Sequence, residues 1–229
     1  MLADTGVVKP FWISSPSLVT MRFVSDLATG ALLINVEQTL YEAFVAFVIA
    51  SALGIAAGLY IAQHPVVDRV TAPFITAMNT LPRIALAPLI ILWFGIGPAS
   101  KIITACTLVF FILLVNTLAG GKNVDQDLIT IARLLGANKR EMMMKVTLPS
   151  TLPWVFAGLH LGLTYSLLGV VVAEILSSQH GIGYMISYSA GSFDTTGVFE
   201  GLLTLVILAL ALDQLTTALE RRLLRWRPQ

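Results

Sequence analysis

The chain has 229 residues, of which 56% are apolar and only 12% charged, about half the charged share of an ordinary soluble domain. Together with a mean hydropathy of +0.84, this points to an integral membrane protein of one domain. A net charge of +1 excludes the basic balance of a nucleic-acid binder, and the single cysteine, Cys106, lies inside an apolar run. An internal disulfide and a Cys-based metal site are therefore both excluded.

The N-terminal 20 residues contain Asp4, Lys9 and two prolines and have no apolar core of secretory-signal length, so insertion is expected from internal spans. Residues 17–35 are amphipathic but too short in apolar residues to cross, and are read as an interfacial helix on the outer face. A bilayer core needs about 20 apolar residues in a helix. Residues 43–62, 102–121 and 154–173 meet that length without Asp, Glu, Lys or Arg, the last with one histidine. Residues 71–97 cross only with an interruption at Pro73, Pro82 and Arg83, and residues 197–219 only with Glu200 and Asp213 at opposite interfaces. The expectation is an all-α polytopic bundle of about five transmembrane helices. It divides into an extracytoplasmic N-terminal segment, 1–35, and a transmembrane domain, 36–227, that includes a cytoplasmic loop at 122–150.

Lysines and arginines set the direction. Segments 63–70, 122–153 and 220–229 share one face and hold ten of them, against Lys9, Arg22 and Lys101 on the other. The long basic loop and the C-terminus are expected in the cytoplasm, and the 174–196 loop outside.

Within the first span Ala46, Ala50, Gly54 and Gly58 recur every four residues, a small-residue stripe that lets another helix approach closely. Gly158 and Gly162 repeat the device. In the second span Pro82 and Pro88 remove backbone donors and break the helix, and the freed carbonyls are tolerated only against protein or water. Arg83 there must face inward, pair, or snorkel to the interface. Glu174 ends the fourth span ahead of Gly181-Ile182-Gly183-Tyr184, and either meets solvent or lines the outer mouth of a cavity. Asn79, Thr80, Arg83 and Glu174 are the candidates for a translocation path. His160 reads as a hydrogen-bonded packing residue, and Asp213, near Arg221 and Arg222, as interfacial. These groups form no acid–base or metal constellation, so no catalytic, metal or cofactor residue is expected.

In the loop, Asn123-Val124-Asp125 can cap a helix, with Asp127 in its early turn, on which Leu128, Ile131, Ala132 and Leu135 form one apolar stripe. Gly136 supplies a stop, Asn138 with Glu141 forms a capping box for a second short helix, and Pro149 opens the next span. Such a loop is either an inert connector or a docking element; about thirty residues is long for a passive link.

Gly136, nine residues, then Val146-x-Leu148-Pro149 resembles the signature of ABC importer permeases, Glu-Ala-Ala, three residues, Gly, nine residues, Ile-x-Leu-Pro. Ala132 matches its second alanine, while Thr130 and Ile131 replace the glutamate and first alanine. The likeness extends through Pro88-Leu89-Ile90-Ile91-Leu92-Trp93-Phe94-Gly95-Ile96-Gly97, Val171-Val172-Ala173-Glu174 and Phe193-Asp194-Thr195 to Glu220-Arg221-Arg222, and is of the nitrate/sulfonate/taurine type. Such permeases usually carry six helices, the first ahead of a segment like Ser14-Ser15-Pro16-Ser17, so one fewer is expected here. The resemblance implies a type I importer fold and a permease dimer, homodimeric by expectation, with ABC ATPase subunits and an extracytoplasmic solute-binding protein. It places ATPase coupling on Leu128, Ile131, Ala132, Leu135, Gly136, Ala137, Glu141, Val146, Leu148 and Pro149. The chain has no G-x-x-x-x-G-K-[ST] loop, so ATP and Mg2+ are expected on the ATPase. The cargo implied is a sulfonate, taurine, nitrate or similar solute, with a pyrimidine or thiamine precursor as the alternative; a passive channel or scaffold is the rival class.

Overall fold

The computed structural model describes residues 14–223, and every regular element among them is helical. In chain order these are α1 (Pro16–Thr29), α2 (Ala31–Gln63), α3 (Pro65–Thr80), a 3-10 turn (Arg83–Leu86), α4 (Ala87–Phe94), α5 (Pro98–Lys122), α6 (Gln126–Leu134), α7 (Lys139–Met142), a π turn (Met143–Thr147), α8 (Leu148–Ser177), α9 (Ile182–Gly191) and α10 (Thr195–Leu223).

Four helical stretches are long and apolar enough to cross a membrane: α2, α5, Lys139–Ser177 and Thr195–Ala218. Pro65–Thr80 and Arg83–Phe94 form a fifth, bent by 82° at its break. The bend falls at Leu81-Pro82, where proline at a helix end forbids continuation.

The core lies where α2, α5 and α8 meet. Ala43, Ala46, Ala105, Leu167, Val170 and Val171 form one buried cluster, and Ala50, Val109 and Leu113 a second. The small-residue stripe performs as its spacing predicts. A Cβ on Gly54 would sit 2.6 Å from the Phe110 carbonyl oxygen, and one on Gly58 2.9 Å from that of Leu114. Backbone atoms cannot move aside as a flexible side chain can. Gly54→Leu is therefore expected to separate α2 from α5 and lower stability by at least about 1–3 kcal/mol, the usual effect of overpacking. Thermal denaturation in detergent reads this, and an unchanged midpoint would refute the close approach.

The domain boundary expected at residue 35 falls inside α2, which starts at Ala31. Its N-terminal part carries Asn35, Glu37, Gln38 and Glu42, so the helix extends beyond the uncharged stretch 43–62. Asn35, Gln38 and Glu42 have protein partners, described below, and Glu37 is exposed.

Helix α1 is more than a surface float. The Ser14 hydroxyl lies 2.8 Å from that of Thr196, and Arg22 pairs with Asp194 and, at 3.0 Å, with Glu200. Partial burial works against the charge on Asp194. The Gly197 N–H and the Arg22 guanidinium outweigh it and hold that carboxyl below its ordinary range. At the opposite end of the bundle Lys122 pairs with Asp68 at 2.6 Å, so segments 63–70 and 122–150 do share one face. Calls on Lys9, Arg225 and Arg227 lie outside the described residues.

Candidate functional site

The basic loop is built much as its sequence reads. The Asp125 side chain accepts from the Asp127 N–H and caps α6. Gly136 adopts φ +81, a left-handed turn that residues with a Cβ resist, and α6 stops there. Asn138 and Glu141 then form the reciprocal capping box at 2.9 and 3.1 Å. One feature departs from the reading: the second short helix does not end, but runs through the π turn into α8. The Leu148 N–H reaches back five residues to the Met143 carbonyl. A π turn just ahead of Pro149 is the local widening often found at functional positions.

The apolar stripe is left open. Leu128 and Ile131 are exposed, and Leu134 and Leu135 are each 82% exposed. Beside them lies a groove of about 630 Å³, whose walls include Leu128, Ile131, Ala132, Leu135, Val146 and Pro149. Six coupling candidates thus gather at one surface. Ala137 faces a second groove of about 530 Å³ with Met142, Met143 and His64. Glu141 is turned to its cap and to Lys145 at 3.1 Å. Leu148 lines neither groove, and Gly136 acts through the turn itself.

Of the path candidates, Arg83 and Asn79 come together. The Arg83 guanidinium donates to Asn79 Oδ1 at 2.7 Å and to the Met78 carbonyl at 3.2 Å, and stands 4.3 Å from the Phe111 ring centroid. Both line a groove of about 360 Å³ with Phe111, Asn116 and Tyr165. Thr80 instead returns its hydroxyl to the Ala77 carbonyl at 2.8 Å.

Glu174 departs from both of its readings, solvent-exposed and cavity-lining. It is 1% exposed and accepts from the Thr39 hydroxyl at 2.9 Å and the Gly183 N–H at 2.8 Å. A Cβ on Gly181, at φ +110, would fall inside its carboxylate. Thr39 in turn accepts from the Ile182 N–H, and Asn35 from the Gly181 N–H. The carboxylate is a clasp joining α2, α8 and the start of α9.

Next to it lies a pair that sequence reasoning did not single out. Lys101 and Glu42, 3% and 0% exposed, are 2.5 Å apart. Gln38 also donates to Glu42, and Lys101 to the Ser178 hydroxyl. Opposite charges bounding two adjacent apolar spans were the available signal. The Asp213 carboxylate lies 2.8 Å from His160 Nε2 on α8, so His160 has a polar partner within the protein.

A bundle with four apolar spans, a fifth broken at proline and an open helix-turn-helix at one end is that of a polytopic membrane protein. The chain belongs to the family of binding-protein-dependent transport system inner membrane components, whose sequence profile matches residues 50–225. It is 31% identical over 227 residues to a putative aliphatic sulfonates transport permease of Bacillus subtilis, covering 99% of this chain and 82% of that one. It is 36% identical over 216 residues to a riboflavin transport system permease of Chloroflexus aurantiacus, covering 94% and 81%. The fold is similar to that of a chain of the MetNI methionine ABC transporter in an inward-facing form, with TM-score 0.72, 20% identity and coverage of 83% and 95%. The protein is thus the permease subunit of an ABC importer and a multi-pass protein of the inner membrane.

Proposed function

We propose that an ABC ATPase docks on the loop from Asp125 to Pro149 and that its ATP-driven closure moves α5 and α8 through that loop. The observation that carries this is the bare pair Leu134 and Leu135, set on a capped, rigid turn beside a groove lined by Leu128, Ile131 and Val146. Apolar surface rimmed by polar residues marks a docking site, and the Asp125 cap and the Asn138–Glu141 capping box hold it in shape before the partner arrives. Gly136, Ala137 and Glu141 shape the turn; Leu148 and Pro149 pass its displacement into the span.

The lysine and arginine bias supports a cytoplasmic position for this loop and for the C-terminus. A second copy of the chain completes the pathway as a homodimer. An extracytoplasmic binding protein delivers the solute to the end that carries α1 and α9. ATP and Mg2+ belong to the ATPase, and this chain contributes no cofactor site. The cargo is a small organic solute of sulfonate or taurine type, as the sulfonate relative supports; the riboflavin relative favours a heterocycle as the second reading.

Mild-detergent purification of the full chain from its own membrane, with mass spectrometry of what accompanies it, is the test. An ATPase at one copy per permease is expected. A folded permease recovered without any ATPase would refute the docking reading.

A further inference from the structure

Arg83 presents an unbalanced charge deep in the bundle. It is 9% exposed. The ring beneath it, Phe111, stands thirteen residues from one end of α5 and eleven from the other, roughly 16–20 Å from each at the helical rise. The guanidinium is therefore at mid-span and does not snorkel. Its hydrogen bonds go to the neutral Asn79 amide and the Met78 carbonyl. No carboxylate among the described residues pairs with it, whereas Arg22, Lys101, Lys122 and Lys145 each have one.

A cation left unpaired in hydrocarbon is very unfavourable unless it faces a cavity and meets a counter-charge there. Arg83 does face one, the 360 Å³ groove, near the lower end of the size range for small-molecule sites. Phe111 holds the guanidinium face-on and Asn79 fixes one edge, which leaves the remaining fork of N–H donors available. That planar fork suits a tetrahedral or planar oxyanion. Tyr165, on the groove wall, makes no hydrogen bond to a described residue and supplies a further hydroxyl donor.

We infer that Arg83, oriented by Phe111 and Asn79 and sharing its groove with Tyr165, is an oxyanion subsite within the transport path, and that the cargo carries a sulfonate, carboxylate or phosphate group. The inference rests on the importer reading and narrows its cargo: a neutral heterocycle leaves this charge uncompensated. The preceding helix break serves the subsite, since the 82° bend at Leu81-Pro82 turns Arg83 off the α3 axis and over α5.

The experiment uses the permease purified with its ATPase in phosphatidylcholine nanodiscs. Ethanesulfonate is titrated at constant ionic strength and followed by saturation-transfer NMR of its methyl protons, beside uncharged ethyl methyl sulfone. Saturable binding of the sulfonate and none of the sulfone is expected. Arg83→Gln should weaken binding about ten- to hundredfold, as for losing a charge-assisted hydrogen bond, and Tyr165→Phe by less. ATPase retention and the melting midpoint of each variant show that it is folded and assembled. Equal sulfonate binding by wild type and an assembled Arg83→Gln overturns the subsite and leaves the importer reading standing; absence of the ATPase from wild type overturns the latter. In phosphatidylglycerol nanodiscs the sulfonate should still bind. If phosphatidylglycerol displaces it, and co-purifies with wild type but not with Arg83→Gln, the oxyanion is a lipid headgroup and the cargo assignment fails.

Discussion

Leu135→Asp is expected to release the ATPase while leaving the permease folded in the membrane. Leu135 is 82% exposed, so it contributes little to the protein's own core and its replacement leaves no cavity there. In the proposed complex the same side chain goes from water into a contact. Burying a leucine contributes about 1.5–3 kcal/mol, and an unpaired carboxylate in its place adds several kcal/mol of desolvation. An affinity loss of about a hundredfold or more follows. Co-purification should fall to background and ATP-driven uptake should stop, with helical content and membrane yield unchanged. Gly136→Pro tests the same contact by another route: φ +81 is closed to proline, whose ring holds φ near about −65°, so the turn and the angle between α6 and α7 must change. Lys139→Ala, an exposed change that keeps the stripe and the turn, should have little effect. Normal ATPase capture by Leu135→Asp would rule out this stripe as the docking surface.

The loop was legible because its instructions are local. Asp125, Gly136, Asn138 and Glu141 each act within three residues of themselves, and spacing along the chain reports such contacts directly. The small-residue stripe was legible for a related reason, since period and size alone say that something must approach closely. The clasp on Glu174 was not. Its partners Thr39 and Gly183 lie 135 and 9 residues away, and a carboxylate at a span's end looks the same whether water or protein receives it. The N-terminal extension of α2 is similar: the polar side chains Asn35, Thr39 and Glu42 continue the helix because their partners lie elsewhere in the chain. Arg83 lay between. Sequence showed that it was costly and therefore directed, but its depth follows only from the position of Phe111 beneath it.

The Lys101–Glu42 pair tests how the end opposite the coupling loop is held. Both side chains are almost wholly enclosed, and they fasten α5 to α2, with Ser178 drawn in through Lys101. Forming such a pair adds little net stability, because desolvating both ions offsets most of their attraction. Breaking it is another matter. Lys101→Met leaves Glu42 charged, buried and without its cation, and one of its oxygens already has no hydrogen-bond partner. A loss of about 3–5 kcal/mol is expected, which for a chain of this size lowers the melting midpoint by roughly 10 °C. Adding Glu42→Gln removes the orphaned charge and keeps a polar contact for Gln38, so the double variant should regain most of that loss. If the double variant melts no higher than Lys101→Met, the damage comes from lost lysine packing and not from charge. If it recovers, transport can be measured in a stable protein whose α2–α5 ion pair is gone. Uptake that falls while ATPase capture persists would then show that the pair keeps α2 and α5 moving as one body, so that force applied at the loop reaches the outer end of the bundle.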